Sequence, residues 1–366
     1  MDIKSRIYFS QFRLRQRLIA ARCSVSRNRS PIIDSGDYSP GRVLFVLSGL
    51  LGDSVMSSPA IAEAKEIWPK AHISVLGKSH NRDLLSADPN IDEFHVCNAD
   101  PLSIRNLSKI RDLKRWIAEK DFDTAIILLG DQYAHLLAWA KIPIRIGVKG
   151  TLLEPCLTHS YEIGSPQEWG ANERLNTLRV LGYQVAARSP KLYVSTEAAE
   201  TAGKRLSEAG LIECESYLAL HPFGSTRRQW WPLENIPQFA DKVYRSLGKR
   251  TILLGGKETL SPKVNSERII DMRGLLSIPE LLAIIDRAEM VVTTDSGPFH
   301  IAGALGKQII GLFRHRRPEH ANAYPTARVV FGEHEACRLR CDWDRCAANP
   351  CRQMVAIEPE QAADFL

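Results

Sequence analysis

Short apolar runs alternate with stretches of helical periodicity along most of this chain, and the alternation begins twice. The first buried-strand pattern is Arg42 to Leu47 (RVLFVL), which is followed by a helical stretch that ends at Ile67. The pattern starts again with a helix over about residues 195–210 and the strand of YLALHPFG. Short apolar strands separated by helices pair in parallel, with helices on both faces of the sheet. The sequence therefore predicts an α/β protein with two Rossmann-like, doubly wound parallel sheets.

The other predicted elements repeat this spacing in both halves. Further strands are predicted at ISVLG, Phe94 to Val96, TAIILLG, TILLGG, MVVTTDSG and QIIGLF, and helices at 234–247 and 277–287. We predict a basic N-terminal arm over residues 1–40, one domain over 41–190 and a second, with a cysteine-rich tail, over 191–366. The linker is expected near Arg188 to Val194, where Pro190 stands. Two such domains facing each other leave a central cleft at the carboxyl ends of their strands, where ligands bind.

The length of 366 residues and the hydrophobic content of 44% are enough for two buried cores. No run approaches the ~18 apolar residues of a membrane span, and charged residues stand where a signal peptide has its apolar core. Composition therefore argues against disordered, fibrous and membrane-spanning proteins. We expect the protein in the cytoplasm.

The formal charge of +6 is concentrated in the N-terminal arm. Residues 1–40 contain eight lysines and arginines against three aspartates, a net charge of +5. Apolar residues are interleaved with these charges, at Ile3, Ile7, Phe12, Leu14, Leu18 and Ile19. The arm is either an amphipathic helix on an anionic membrane surface or a mobile or packed extension of the first domain. Nucleic-acid binding is disfavoured because no aromatic-rich basic platform follows.

The eight cysteines do not indicate a disulfide framework in a chain of this length without a secretion signal. Cys23, Cys97, Cys156 and Cys214 are scattered. The others lie within CRLRCDWDRCAANPC, spaced C-x3-C-x4-C-x4-C, at Cys337, Cys341, Cys346 and Cys351. This spacing matches no common zinc-finger pattern, although four thiolates in so short a segment can hold a metal ion. The cluster is either a set of reduced packing cysteines or a structural site for zinc or iron.

Three strand-to-helix loops have compositions suited to ligands. The first, SGLLGDSVMSSPA from Ser48 to Ala60, contains Asp53 and fits neither the G-x-G-x-x-G pattern nor a P-loop ending in Gly-Lys-Ser/Thr. That argues against a nicotinamide dehydrogenase and an NTPase. Asp53 either caps the following helix or is a catalytic carboxylate.

The second loop, HPFGSTRRQWWP, is suited to a diphosphate. Ser225 and Thr226 offer hydroxyl groups and the turn offers backbone N–H groups. Arg227 and Arg228 add positive charge beside them, and guanidinium groups pair well with phosphate oxygens.

The third loop, TTDSGPFH from Thr293 to His300, ends a strand and begins a helix. Ser296 is a suitable N-cap, Gly297 lets a ligand approach the backbone, and Pro298 fits the first helical turn. The N–H groups of such a helix start carry a partial positive charge and bind phosphate. On local pattern alone the loop is either a phosphate site or an ordinary capped turn.

Three blocks of the sequence together resemble one enzyme family. GRVLFVLSGLLGDSVMSSPAIAEAKEIWPKAHISVL, LHPFGSTRRQWWP followed by TILLGGKE, and DMRGLLSIPELLAIIDRAEMVVTTDSGPFHIAGALG are similar, in order and spacing, to glycosyltransferase family 9, the ADP-heptose:lipopolysaccharide heptosyltransferases and their relatives. The resemblance covers about residues 41–360. It implies a GT-B fold whose first domain receives the acceptor and whose second domain holds the nucleotide sugar. It also implies an inverting enzyme that needs no metal to move heptose, or a related sugar, from an ADP-sugar to a lipopolysaccharide core or another surface glycan.

The resemblance assigns roles to individual residues. Asp53 corresponds to the family's Gly-Asp aspartate, the general base that deprotonates the acceptor hydroxyl. The residues expected to contact the nucleotide sugar are Ser225, Thr226, Arg228, Glu258, Thr294, Asp295, Ser296, Gly297 and His300. Among them, Glu258 is the candidate for the nucleotide ribose.

One position departs from the family pattern. Many members have a lysine three residues before the proline of the second loop, where this chain has Gln229. Either Arg228 takes the role of that lysine, or the leaving group is stabilised elsewhere, which favours a different donor or a sugar-nucleotide-binding protein without turnover. A nucleotide-sugar epimerase shares the two-domain architecture, and a protein-modifying branch of the family carries cysteine-bound iron.

The predicted partners follow from the leading interpretation. They are a nucleotide-diphosphate sugar, ADP-heptose first, and a glycolipid or glycan acceptor. Attachment to the inner face of the cytoplasmic membrane is expected if the arm binds anionic lipid. No cofactor is expected for the transfer.

Overall fold

The computed structural model of the protein describes residues 16–21, 23, 38–164, 170–212, 215–260, 264, 267–314, 323–337 and 346–366. The chain divides into two units, Met1–Pro190 and Lys191–Leu366. Each unit contains a six-stranded sheet whose paired strands run parallel. The prediction of two doubly wound parallel sheets in an α/β protein is confirmed.

The first unit is built on a sheet with the strand order β3-β2-β1-β4-β5-β6. Its strands are β1 (Arg42–Leu47), β2 (His72–Gly77), β3 (Glu93–Val96), β4 (Thr124–Leu129), β5 (Ile144–Val148) and β6 (His159–Tyr161). Its helices are α1 (Leu51–Ile67), α2 (Ser79–Leu85), α3 (Leu107–Glu119), α4 (Ala134–Trp139), α5 (Gly170–Arg174) and α6 (Asn176–Arg179).

The second unit repeats the arrangement with the order β12-β11-β10-β7-β8-β9. Its strands are β7 (Tyr217–His221), β8 (Arg250–Leu253), β9 (Ile269–Asp271), β10 (Met290–Thr294), β11 (Gln308–Phe313) and β12 (Ala327–Phe331). Its helices are α7 (Thr196–Glu208), α8 (Asn235–Leu247), α9 (Ile278–Arg287), α10 (Gly297–Ala304), α11 (Arg352–Val355) and α12 (Pro359–Ala363).

The two sheets have the same topology. Counted within each unit, both orders are 3-2-1-4-5-6, the dinucleotide-binding arrangement. The order reverses between β1 and β4 in the first unit and between β7 and β10 in the second. Loops that leave the carboxyl ends of these strands diverge to opposite faces of the sheet, which leaves a crevice for a ligand.

The central strands are buried because helices cover both faces of each sheet. Val43 to Leu47 of β1 and Val291 to Thr294 of β10 are buried along their whole length. This explains why Val43 to Leu47 is a continuous apolar run without a polar alternation, while in β10 the two threonines at the strand end are buried with the valines.

The loop predicted over residues 48–60 is wrong over most of its length, because α1 begins at Leu51. Its serines bond within the helix: Ser54 Oγ donates to the Leu50 carbonyl and Ser57 Oγ to the Asp53 carbonyl. Pro59 lies inside the helix and lacks an N–H group, and Ser58 Oγ donates to the Val55 carbonyl that would have accepted from it. Hydroxyls that bond to backbone carbonyls this way are compatible with a helix although they are typical of loops.

The described part of the N-terminal arm packs against the first unit. Residues 16–21 and 23 are helical, and Ile19 and Ala20 contact the core that lies around α3 and α4. Cys23 is joined by a disulfide to Cys156, a pairing across 133 positions that the sequence did not predict. Leu18 is exposed. The other apolar residues named for the arm lie outside the described residues.

No helix in the described ranges combines the length and the apolar character that crossing a membrane requires.

Two helix glycines in the second unit should respond in opposite ways to alanine. Gly203 of α7 has room for a Cβ atom, whose nearest neighbour is Arg287 Nη1 at 3.5 Å, so Gly203→Ala should stabilise the protein by about 1 kcal/mol. At Gly303 of α10 a Cβ atom would overlap the buried ring of Tyr324, so Gly303→Ala should destabilise it by about 1–3 kcal/mol. Thermal unfolding followed by circular dichroism measures both changes, and a stabilised Gly303→Ala would contradict the packing described for α10.

Candidate functional site

The loops after β7 and β10 meet at the point where the second sheet reverses its strand order. Thr294, the last residue of β10, donates its hydroxyl to the Phe223 carbonyl over 2.5 Å. Phe223 begins the segment that carries Ser225 and Thr226. The predicted phosphate loops therefore start from adjoining strands and are held together by a side-chain hydrogen bond.

The turn between β10 and α10 leaves the start of the helix without a side-chain cap. Ser296 occupies the N-cap position, as predicted, but its hydroxyl donates to the Thr294 carbonyl over 3.2 Å instead of capping the first turn. Gly297 is the first helical residue and Pro298 the second. Pro298 has no N–H group, and the Phe299 N–H donates to the Ser296 carbonyl over 3.0 Å. Of the first three helical residues, Gly297 is therefore the one whose N–H has no hydrogen bond from the described residues, and such a group at a helix start suits an anion.

His300 is buried beside an aromatic residue. Its side chain is 7% exposed, and its Nδ1 lies 3.2 Å from the hydroxyl of Tyr324. Asp295, directly after β10, is half-buried and more exposed than His300. The turn thus presents Asp295 and the helix start more openly than His300, whose contact with a phosphate stays a prediction.

Gln229 organises the loop after β7. Its Oε1 accepts hydrogen bonds from Ser225 Oγ at 2.8 Å and from the Thr226 N–H at 3.2 Å, and the Thr226 hydroxyl lies 3.4 Å away. A Cβ atom on Gly224 would overlap Gln229, so the loop closes tightly over this side chain. The residue that departs from the family pattern is therefore an internal acceptor that fixes the loop.

The two arginines of this loop have different surroundings. Arg228 Nη2 donates to the Cys346 carbonyl over 2.6 Å, and the Cys351 N–H donates to the Arg228 carbonyl over 3.2 Å. Arg227 is exposed and lies over the ring of Trp230, 5.2 Å from its centroid. Arg228 thus joins the loop to the cysteine-rich tail, and Arg227 is the more accessible cation.

Burial keeps the histidine at the end of β7 neutral. It lowers the pKa of His221 to about 4, because the charged imidazolium loses its hydration in the interior. His221 is therefore uncharged at neutral pH. Positive charge for a ligand at this strand end must come from the arginines of the loop.

The loop after β8 carries Glu258 and is held by a residue that the sequence analysis missed. Glu258 is exposed in the turn after Gly256. Arg273, which is 1% exposed, donates to both carboxylate oxygens of Asp271, at 2.9 and 2.7 Å, and to the Thr259 carbonyl at 2.5 Å. This buried arginine fixes the turn, and its position in DMRG, directly after a short strand, was the signal for it.

Asp53 lies in the first turn of α1, at the point where the first sheet reverses its order. Its Oδ2 accepts a hydrogen bond from the Leu50 N–H over 2.9 Å, so Asp53 caps its own helix. The carboxylate is half-buried, and no hydrogen bond from the described residues reaches its Oδ1. The two interpretations of Asp53 are compatible, because one oxygen caps the helix while the other remains for chemistry.

The turn before Asp53 is held by side chains from α2. His80 Nε2 lies 2.8 Å from the Gly49 carbonyl, and Asn81 Nδ2 donates to the same carbonyl over 3.1 Å. Asn81, which is fully buried, also donates to Ser54 Oγ over 2.7 Å. Sequence reasoning missed both residues, although the polar segment KSHN directly after the ISVLG strand marked them.

A second carboxylate follows β4, on the other side of the reversal. Gly130, at φ 107°, lies against Ser48, and Gln132 Nε2 donates to Ser48 Oγ over 3.4 Å. Burial raises the pKa of the neighbouring Asp131. The loop after β4 therefore contributes polar groups to the same end of the sheet as Asp53, which the sequence analysis did not predict.

The cysteine cluster is only partly described. Cys351 is buried, Cys337 and Cys346 are half-buried, and Cys341 lies outside the described residues. A hydrogen bond from the Ala348 N–H lowers the pKa of the Cys346 thiol, which favours the thiolate form that metals bind. Within the described ranges, no three His, Cys, Asp or Glu side chains are grouped so that they could hold a metal ion. The described thiols alone do not fit a metal site, and the four-cysteine site stays a prediction.

A family model and several known proteins are similar to this chain. The sequence model of glycosyltransferase family 9 (heptosyltransferase) matches residues 110–347. Lipopolysaccharide heptosyltransferase 2 of Salmonella typhimurium is 24% identical over 321 residues, which cover 80% of this chain and 90% of the relative. A crystal structure of glycosyl transferase family 9 from Veillonella parvula has a TM-score of 0.75 at 22% identity and covers 92% of this chain and 99% of its own.

A further solved structure has the same fold. E. coli ADP-heptose lps heptosyltransferase II has a TM-score of 0.73 at 18% identity, with 88% of this chain and 96% of the other covered. The GT-B fold that the sequence implied is thereby confirmed. Because the family match spans most of the sequence, the chain belongs to glycosyltransferase family 9 (heptosyltransferase) and is a glycosyltransferase.

Proposed function

We propose that the protein is an inverting enzyme that transfers heptose, or a related sugar, from an ADP-sugar, ADP-heptose first, to a lipopolysaccharide core or another surface glycan. One observation carries the proposal: in a member of this family, Asp53 and the TTDSGPFH turn each lie where a Rossmann-type sheet reverses its strand order. The names of the similar lipopolysaccharide heptosyltransferases support the donor and the acceptor.

Asp53 is the proposed general base. As the acceptor oxygen attacks the anomeric carbon, its proton passes to the Asp53 carboxylate, the new C–O bond forms and the bond from that carbon to the diphosphate oxygen breaks. ADP leaves with the bonding electron pair, and attack from the opposite face inverts the configuration. The hydrogen bond from the Leu50 N–H holds the carboxylate in position.

The start of α10 is the proposed site of the ADP diphosphate. Its first turn has a partial positive charge and its N-cap residue provides no side-chain cap, which suits an anion that gains charge as the sugar leaves. Thr294 ties this turn to the loop that carries Ser225 and Thr226. Asp295 is proposed to accept hydrogen bonds from sugar hydroxyls, Glu258 to bind the ribose, and His300 to contact a phosphate oxygen.

Arg227 is the proposed cation for the leaving group, in place of the Arg228 expected from the sequence. Arg228 donates to the carbonyl of Cys346, and moving it to a diphosphate would break that bond. Arg227 is exposed on the same turn and needs only to leave the face of Trp230. A guanidinium group on a diphosphate provides charge-assisted hydrogen bonds that strengthen as the leaving group becomes more negative.

The proposed location of the enzyme in the cell follows from its proposed acceptor. A glycolipid acceptor is held in a membrane, so we propose that the enzyme works in the cytoplasm at the inner face of the cytoplasmic membrane. The net charge of +5 in residues 1–40 supports electrostatic attraction to anionic lipid.

Replacing Asp53 with Asn should lower the rate of sugar transfer without changing the affinity for ADP. The amide oxygen still accepts from the Leu50 N–H, so the turn should be retained, but the base is lost. We expect transfer to fall at least about a hundredfold while the Kd for ADP changes by less than about threefold. Acceptor-dependent release of ADP and calorimetry with ADP measure the two quantities.

Asp123→Asn is the matched control for this change. Asp123 also accepts backbone N–H bonds, from Gly41 and Arg42, but it lies at the opposite end of the strands of the same sheet. The control should keep near-normal transfer. Normal turnover by Asp53→Asn would remove Asp53 from the mechanism, and the absence of acceptor-dependent ADP release from the unmodified enzyme would contradict the proposed function.

Alanine substitutions of Arg227 and Arg228, the two arginines of the loop after β7, should have different effects on ADP binding and on stability. Arg227→Ala should weaken ADP binding about tenfold or more, because a charge-assisted hydrogen bond to the diphosphate is lost. Arg228→Ala should lower the unfolding temperature, because it releases the Cys346 carbonyl, and should change the Kd for ADP less than about threefold. If calorimetry showed weaker ADP binding by Arg228→Ala and not by Arg227→Ala, and Arg227→Ala alone lowered the unfolding temperature, Arg228 would be the cation for the leaving group.

Transfer is proposed to need no metal or other cofactor, and any zinc or iron held by the four clustered cysteines would be structural. We therefore expect turnover to persist after dialysis against a chelator, with the metal content checked by elemental analysis before and after. Loss of turnover that returns when zinc or iron is added back would contradict this proposal.

A further inference from the structure

One face of α3 carries basic side chains and an exposed apolar side chain, and the described residues leave this face open to solvent. Ile110, Leu113 and Ile117 are the buried residues of this helix and attach it to the core of the first unit. Leu107, at its first position, is 66% exposed. The solvent-facing side of an amphipathic surface helix normally carries charged and polar residues, so an exposed leucine with cations of one sign around it indicates a contact surface.

The exposed residues of α3 separate by charge around the helix. At 3.6 residues per turn, Leu107, Arg111, Lys114, Arg115 and Ala118 fall within about 100° of arc. All five are exposed. The two acidic residues of the helix, Asp112 and Glu119, fall outside this sector. The sector therefore combines three cations with an exposed leucine and contains no acidic side chain.

A tryptophan from the neighbouring helix extends this sector. Trp139, the last residue of α4, is 42% exposed, and Lys114 Nζ lies 5.2 Å from the centroid of its ring. The ring of His135 meets the indole edge-on at a centroid distance of 5.0 Å. The indole is thus held in place at the surface while much of it remains in contact with water.

We propose that this basic patch, formed by Leu107, Arg111, Lys114, Arg115 and Trp139, binds the surface of an anionic lipid bilayer. The three cations attract acidic headgroups, and Lys114 and Arg115 have long stems that let their charges stay at headgroup level. Leu107 and the indole of Trp139 enter the boundary between headgroups and acyl chains, where tryptophan is favoured.

Leu107 and Trp139, the apolar residues of the basic patch, favour a bilayer over other anionic partners. A nucleic-acid backbone or a free phosphate satisfies the cations but offers no apolar region for Leu107. A bilayer satisfies both sets of side chains at once. The exposed residues Arg105 and Lys141 lie next to the same two helices and add positive charge. Asp112 and Glu119 lie beyond the edge of the sector formed by Leu107, Arg111, Lys114, Arg115 and Ala118.

This surface is separate from the proposed transfer chemistry. Its residues take no part in the sites described after β1, β4, β7 and β10. A second contact, fixed on a folded unit, would give the enzyme a defined orientation on the bilayer, which a basic arm alone does not give.

Vesicle sedimentation tests the patch without measuring enzyme activity. The full-length protein should bind vesicles of phosphatidylcholine mixed with phosphatidylglycerol and not vesicles of phosphatidylcholine alone. The triple variant Arg111→Glu, Lys114→Glu and Arg115→Glu should bind the mixed vesicles about a hundredfold more weakly, because each cation near the surface contributes about one factor of five. Leu107→Gln should weaken binding at high salt, where apolar insertion matters most.

Matched variants separate this surface from general charge. Lys70→Glu, Lys204→Glu and Arg245→Glu change the net charge equally at exposed positions elsewhere, and Ile212→Gln replaces a leucine-sized side chain that is 75% exposed. These controls should bind as the unmodified protein does. The proposal fails if the patch triple variant binds as tightly as the control triple variant, if plain phosphatidylcholine binds equally well, or if the full-length protein binds no vesicles. Tighter binding to a DNA duplex than to the mixed vesicles would also overturn it.

Discussion

Parallel pairing of the strands is the constraint on which the rest of this structure depends. In a parallel sheet each connection must cross from one end of the sheet to the other, and a right-handed crossover determines which face its helix covers. When the strand order reverses, successive helices change faces and the loops at that point separate. The polar groups that follow β1, β4, β7 and β10 are therefore gathered at two carboxyl-end crevices. Hydrogen bonds between distant segments, such as those from Thr294 to the Phe223 carbonyl and from Gln132 to Ser48, then hold the loops in place.

The residues at these crevices combine chemical and structural roles. Asp53 offers a carboxylate and caps α1 through the Leu50 N–H. Thr294 ends β10 and also ties the turn that follows it to the loop after β7. A side chain that is already hydrogen-bonded in the protein does not have to be ordered when the ligand arrives, and such preorganisation is what electrostatic catalysis requires.

The C-terminal tail supports the loop after β7. Besides the contacts of Arg228 with the cysteine-rich segment, Trp231 Nε1 donates to the Ile357 carbonyl over 2.8 Å and Asn235 Nδ2 to the same carbonyl over 3.2 Å. Trp231 is fully buried. The tail and the loop thus form one packed region, so a change in the cysteines would reach the loop after β7 through the backbone that Arg228 contacts.

The sequence by itself determined the fold class, most central strands and the position of the candidate turns, because a strand buried on both faces must be a short apolar run and a helix start has its own composition. β1 and β11 have the predicted bounds. The sequence did not reveal that the serines of residues 51–60 bond within a helix, that Arg228 contacts the tail, or that Asn81, Gln132 and Arg273 support the loops. Only the tertiary structure decided these points. A side chain's hydrogen-bond partner depends on which distant segment packs beside it, and local periodicity contains no information about that neighbour.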